Sequence, residues 1–241
     1  MPAERQRIQS QGAHVAGTRT KKILIGLTSH GDLAGLRSTG YYLSEVAHPW
    51  RVFVDAGYSV DLASVAGGEP PVDGTDLSDP LQRAFTADQE MQGKLSVTPR
   101  FADVDSAEYD AVLFAGGHGT MWDFPSDPDL AVLAQKIYEQ GGVVAAVCHG
   151  PAALVSLTSP DGRPLVEGKA VAAFTNDEEA AVGLSEAVPF LLQTRLEELG
   201  AKHTSAPNFQ AHVVTDGRLV TGQNPASATG VARAVLAALA T

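Results

Sequence analysis

The chain has 241 residues, 44% of them hydrophobic and 19% charged, enough for one large α/β domain with a substantial core. Its formal net charge of −11 opposes binding to nucleic acid or to anionic lipid, which would need clustered Lys and Arg. No apolar run approaches the roughly 20 residues needed to span a bilayer, and the single cysteine, Cys148, cannot form an internal disulfide.

Residues 1–20 are polar, without the apolar core of a secretory signal, and read as a flexible lead-in to one domain over 21–241. A lone cysteine and no export signal imply a reducing, cytoplasmic address. Apolar runs then alternate with helical periods. "KKILIGLTS" (21–29) reads as a buried strand. Residues 39–57 read as a helix capped by Thr39, stopped at Gly57 and kinked at Pro49. Residues 58–66 form the next strand, ended by a Gly-Gly and Pro-Pro turn. A helix over 79–93 opens with Asp79 as cap and Pro80 at its first position.

"YDAVLFAGGHG" (109–119) is a strand running into a glycine turn, and 127–142 is a second Asp-Pro-initiated helix. "VVAAVC" (143–148) is apolar throughout, as expected of a strand buried on both faces of a parallel sheet, and a helix follows from Pro151. Residues 162–175 read as a hairpin excursion, and 177–199 as mostly helical. An Asp-Gly turn makes a hairpin of 212–222, and 224–240 is the closing helix. This order predicts a single doubly wound, mostly parallel α/β sheet of flavodoxin-like type with helices on both faces.

Cys148 stands at the carboxyl end of a strand, where open α/β sheets bind ligands. A lone cysteine there is most simply a small buried hydrophobe. The sharp turn at Gly150, the adjacent His149 and the helix start behind them point instead to a nucleophile elbow bearing sulfur, its pKa lowered by the helix N-terminus. The neighbouring "FAGGHGTMW" offers the N–H groups of Gly116 and Gly117 to a developing oxyanion; it lacks the Lys-Ser/Thr of a phosphate loop. His30, His48 and His118 lie near the same strand ends, with a pocket role or a weak divalent-metal site including Glu45 as alternatives. None of their spacings has the strength of a zinc motif, so no metal is assigned. Asn224-Pro225 reads as a helix start with a pocket role, and Trp122, Tyr41 and Tyr42 as packing or pocket wall.

These stretches, with "TGYYLSEVAHPW", "AVCHGPAAL", "AAFTNDEEAAVGL" and "DGRLVTGQNPASA", resemble the DJ-1/PfpI superfamily, which has the class I glutamine amidotransferase-like fold. The likeness is to its Hsp31-like glyoxalase III and chaperone branch and covers residues 21–240. The resemblance implies that Cys148 is the nucleophile, His149 its partner and Glu45 a carboxylate touching the sulfur. It places the acidic member of the triad in "FTNDEEAAVGL", at Glu179 with Glu178 the next candidate, and the oxyanion donors at the N–H groups of Gly117 and His149. It further implies a homodimer and a cofactor-independent, glutathione-independent lyase that converts methylglyoxal to lactate, with glycated protein as a further substrate. Its alternatives are a holding chaperone for unfolded protein that senses oxidative stress, or a cysteine amidase or peptidase.

Overall fold

The computed structural model describes residues 21–241; the expected lead-in over 1–20 lies outside the described residues. The central sheet has six strands: β1 (Lys22–Leu27), β2 (Ser59–Ser64), β3 (Ala111–Phe114), β4 (Val143–Val147), β5 (Val213–Asp216) and β6 (Leu219–Gly222). Their order across the sheet is β5-β6-β4-β3-β1-β2, with every pairing parallel except the β5–β6 hairpin. The alternation of side chains along a strand divides the core in two. Leu24, Val112, Val144 and Ala146 face one layer; Ile23, Ile25, Leu113, Ala145 and Val147 face the other. Helix Pro128–Glu139 covers the first layer. Helices Ser44–Asp55 and Ala228–Ala238 cover the second, packed against each other. A sheet covered on both faces explains why β4 is apolar at every position.

The structure departs from the sequence reading at several boundaries. The first helix begins at Ser44, because Tyr41–Tyr42 is drawn into a short parallel pairing with Val72–Asp73. Thr39 therefore caps nothing; its hydroxyl donates to Asp73 at 3.2 Å. Pro49 is carried inside that helix without breaking it, leaving the Glu45 carbonyl without its usual partner four residues on. The segment 79–93 divides into Pro80–Ala87 and Gln89–Ser96, because Asp88 turns extended and caps the second helix through Met91 N–H. The segment after Cys148 is a 3-10 helix, Gly150–Ser156, with no α-helix from Pro151. Residues 162–175 form no hairpin; Ala170–Val171 pairs in parallel with Lys202–His203 instead. Two short helices, Asn176–Ala181 and Leu192–Glu198, account for the helical character of 177–199. Among the described residues no helix is long and apolar enough to cross a membrane.

Gly57 ends the first helix as read. With φ 83°, its N–H reaches the Val54 carbonyl at 2.9 Å and that of Tyr58 the Phe53 carbonyl at 3.0 Å, a Schellman closure. A Cβ at Gly57 would meet nothing within 4 Å, so replacement there costs backbone strain alone. Gly57→Ala is expected to lower stability by about 1–2 kcal/mol. Urea unfolding would measure it, and a loss near zero would refute the strain argument.

Candidate active site

β4 ends at Val147, and Cys148 turns the chain with φ 61°, a left-handed conformation that side chains avoid. Two backbone hydrogen bonds hold it there. Cys148 N–H donates to the Gly222 carbonyl, at the end of β6, and the Cys148 carbonyl accepts from Phe174 N–H, both at 2.9 Å. The conformation directs Sγ toward His149, whose Nδ1 lies 3.3 Å away.

The other ring nitrogen of His149 meets Glu179 Oε2 at 2.8 Å, and the second oxygen of that carboxylate meets His118 Nε2 at 3.0 Å. Burial, with the neighbouring His118, pushes the pKa of His149 down to about 4, so at neutral pH its ring is uncharged. Burial pushes Glu179 up, but the hydrogen bonds from His118 and His149 outweigh it and draw its pKa down to about 2. An ionised Glu179 only accepts, so Nε2 of His149 carries the proton and Nδ1 faces sulfur with a lone pair.

Glu179 reaches this position from helix Asn176–Ala181, and its neighbour Glu178 does different work. Glu178 closes a capping box with Thr175 and accepts hydrogen bonds from Phe209 N–H and from Asn224 Nδ2. Successive helix positions diverge by about 100°, and only the second of the pair reaches His149.

Glu45 approaches from the opposite side and is completely buried. Its Oε2 accepts from Gly116 N–H at 2.7 Å, while Oε1 has no hydrogen-bond partner. Burial pushes its pKa up to about 8, against the opposing effects of Gly116 N–H and Cys148, so at neutral pH the carboxyl holds a proton. The bare Oε1 is the place for it. Burial and Glu45 push the Cys148 thiol up in turn, while the backbone N–H groups of His149 and Gly117 act in the opposite direction. This corrects the expectation of a thiol lowered by a helix N-terminus: Cys148 is only 4% exposed, and the helix behind it is a short 3-10 segment. Sulfur and carboxyl form one coupled site in which each group is driven toward its protonated form.

The buried residues Cys148, His149 and Gly117, with His118, open into a cavity of about 290 Å³. Phe174, Val182, Leu184, Phe209 and Pro225 give it an apolar side; Tyr42, Arg37 and Asp73 complete the lining. Arg37 and Asp73 come from separate short strands and, like Phe209, were given no pocket role by the sequence; Tyr42 and Pro225 were, and Phe174, Val182 and Leu184 flank the acidic pair in "AAFTNDEEAAVGL". Two expected pocket residues lie elsewhere. His30 stacks on Trp122 and bonds the Asp32 carbonyl at 2.5 Å. Asn224 is buried under the pocket, bonded to Glu178 and the Gln210 carbonyl, and it is the next residue, Pro225, that lines the cavity. His48 pairs with Asp79, and Tyr41 is in the core. Ligand atoms of His118, His149 and Glu179 lie within 4.8 Å of one another, a donor set able to take a divalent metal, though hydrogen bonds among them already satisfy those atoms.

The model of the DJ-1/PfpI family matches residues 34–238. Glyoxalase 3 of Candida albicans is 34% identical over 230 residues, covering 90% of this chain and 98% of its own. The glutathione-independent glyoxalase HSP31 of Saccharomyces cerevisiae is 34% identical over 229 residues, covering 88% and 95%. Among solved structures, the rapid encystment protein of Francisella tularensis superposes with a TM-score of 0.88 at 39% identity, covering 91% of this chain and 99% of that one. Candida albicans glyoxalase III gives 0.84 at 32%, covering 91% and 98%.

The raised Glu45 pKa has a signed consequence for stability. Between the ordinary carboxyl value of 4.5 and about 8, the folded protein holds a proton that the unfolded chain has lost. Stability from this group is therefore full below 4.5 and declines as pH rises to 8. Glu45→Gln cannot titrate, so its unfolding midpoint relative to the parent should rise from pH 5 to pH 8. Thermal melts in a Cys148→Ser background would isolate the effect. A pH-independent difference would mean that Glu45 is ionised when folded.

Proposed function

This chain belongs to the DJ-1/PfpI family, and on that footing we propose that it is a glutathione-independent glyoxalase converting methylglyoxal to lactate without an organic cofactor. The carrying observation is a buried thiol at a small cavity, set between a protonated carboxyl, Glu45, and a neutral imidazole, His149. A dicarbonyl reaches such a sulfur; a folded polypeptide does not, which favours this reading over a peptidase.

In the proposed reaction the sulfur of Cys148 adds to the aldehyde carbon as its proton passes to His149 Nδ1, and return of that proton to the new oxyanion completes the hemithioacetal and frees Nδ1 again. The N–H groups of Gly117 and His149, already directed at this site, stabilise the oxyanion. A proton then leaves the former aldehyde carbon and another is delivered to the ketone carbon through an enediolate. One carbon is oxidised as its neighbour is reduced, so no external electron carrier enters. Glu45, holding a proton, and His149, holding a lone pair, supply the acid and the base. Water cleaves the resulting lactoyl thioester and restores the thiol.

Glycated protein as a second substrate, a cytoplasmic address and a homodimer are finer proposals supported by the family resemblance. A light-scattering mass near the 25.1 kDa of one chain would overturn the dimer.

The purified protein is expected to form lactate from methylglyoxal with no glutathione present. Cys148→Ser should lower that rate about a thousandfold or more; a holding chaperone would keep its activity in the same variant. Glu179→Gln and His149→Gln should impair the same step, so the double variant loses little more than the worse single one. Additive losses would place Glu179 outside the unit.

A further inference from the structure

Phe209 combines three properties. It is one of three non-glycine residues with positive φ among the described residues, at 61°, and another of the three is Cys148. It is a large apolar side chain left 51% exposed. It also lines the cavity that contains Cys148. Bulky residues adopt such a conformation only when their surroundings impose it, and strain of this kind gathers at ligand clamps. Here it is imposed by Phe209 N–H donating at 2.8 Å to Glu178 Oε1, which belongs to a buried carboxylate also held by Thr175 and Asn224. The ring leans toward Phe174, centroids 6.5 Å apart, and Phe174 lies against His149 at 4.3 Å. An apolar face thus runs from the catalytic imidazole to the mouth.

The cavity holds about 290 Å³, roughly ten times the 30 Å³ or so that a water molecule occupies in the liquid. Methylglyoxal, with a methyl group as its only substituent, would leave most of the face formed by Phe174, Val182, Leu184 and Phe209 untouched. The charged pair at the mouth is committed to itself: Arg37 Nη1 donates to Asp73 Oδ2 at 2.7 Å and to the Ser38 carbonyl at 2.9 Å. Beside the polar groups of Tyr42 and His118, the larger part of the lining left to distinguish one ligand from another is apolar.

We infer that Phe209 and Phe174 form a subsite for the substituent of the dicarbonyl, and that the enzyme selects 2-oxoaldehydes carrying an aromatic or large apolar group over methylglyoxal. This rests on the glyoxalase reading and adds a substrate class to it. The reaction is unchanged: addition of sulfur, proton transfer between the two carbons and hydrolysis convert phenylglyoxal and water to mandelate.

The test compares kcat/KM for phenylglyoxal and methylglyoxal in the parent, Phe209→Ala and Phe209→Gly. The phenyl-to-methyl ratio is expected to fall about tenfold or more in both variants. Gly tolerates the positive φ, so a melting point within a few degrees of the parent's would exclude misfolding as the cause. An unchanged ratio, or equal loss on both substrates, would overturn the subsite. A second readout does not depend on turnover: mandelate should protect Cys148 from iodoacetamide at a lower concentration than lactate in the parent, and lose that advantage in Phe209→Ala. Absence of turnover with the mandelate advantage intact would count against the glyoxalase reading and support the subsite. Equal protection by the two acids would sink the subsite alone.

Discussion

Holding a sulfur that must ionise at the end of a cavity where it is only 4% exposed is the constraint on which this site is organised. A buried thiolate is expensive, and the surroundings of Cys148 read as compensation for that cost. Glu45, completely buried, keeps its proton and stands beside the sulfur as an acid. Backbone N–H groups from two strand ends point inward. They reach because Gly116 has no side chain: a Cβ there would lie 2.6 Å from the Val147 carbonyl and 2.7 Å from Glu45 Oε2. Sheet, helix and glycine turn thus meet at one local electrostatic requirement.

The same economy governs the acidic pair at 178 and 179. One carboxylate orders backbone, closing a helix start, pinning Phe209 and holding Asn224. The next orders two imidazoles and fixes which nitrogen of His149 bears the proton. Exchanging the two side chains in space would leave the charge unchanged and dismantle both arrangements. The pocket wall and the catalytic base are therefore supported from a single turn of helix.

Much of this was legible beforehand. The sheet could be read because strands buried on both faces leave unbroken apolar runs, as in "VVAAV", and Cys148 because it ends such a run at a sharp turn. The resemblance located Glu45 and assigned the acidic partner to Glu179 ahead of Glu178, but why these neighbours do different work needed the direction of each side chain. His30 and Asn224 lie close to pocket residues in sequence yet bond elsewhere. Arg37, Asp73 and Phe209 belong to short segments that meet only after folding, so no local pattern announces them. The thiol's direction of shift was misjudged for a related reason: the field of a helix start can be read from a Pro after a strand, whereas the degree of burial that outweighs it cannot.

The bonds that hold Cys148 in its left-handed turn come from Phe174 and Gly222, residues far along the chain. Gly222 ends the inner strand of the terminal hairpin, itself joined to β4 in a fixed register. During synthesis, β4 and its cysteine leave the ribosome before either anchor does. The nascent thiol therefore has neither the imposed geometry nor the desolvated surroundings of the finished site, and behaves as an ordinary side chain. The geometry of the nucleophile is acquired when the hairpin docks, which ties the assembly of the site to the completion of the sheet.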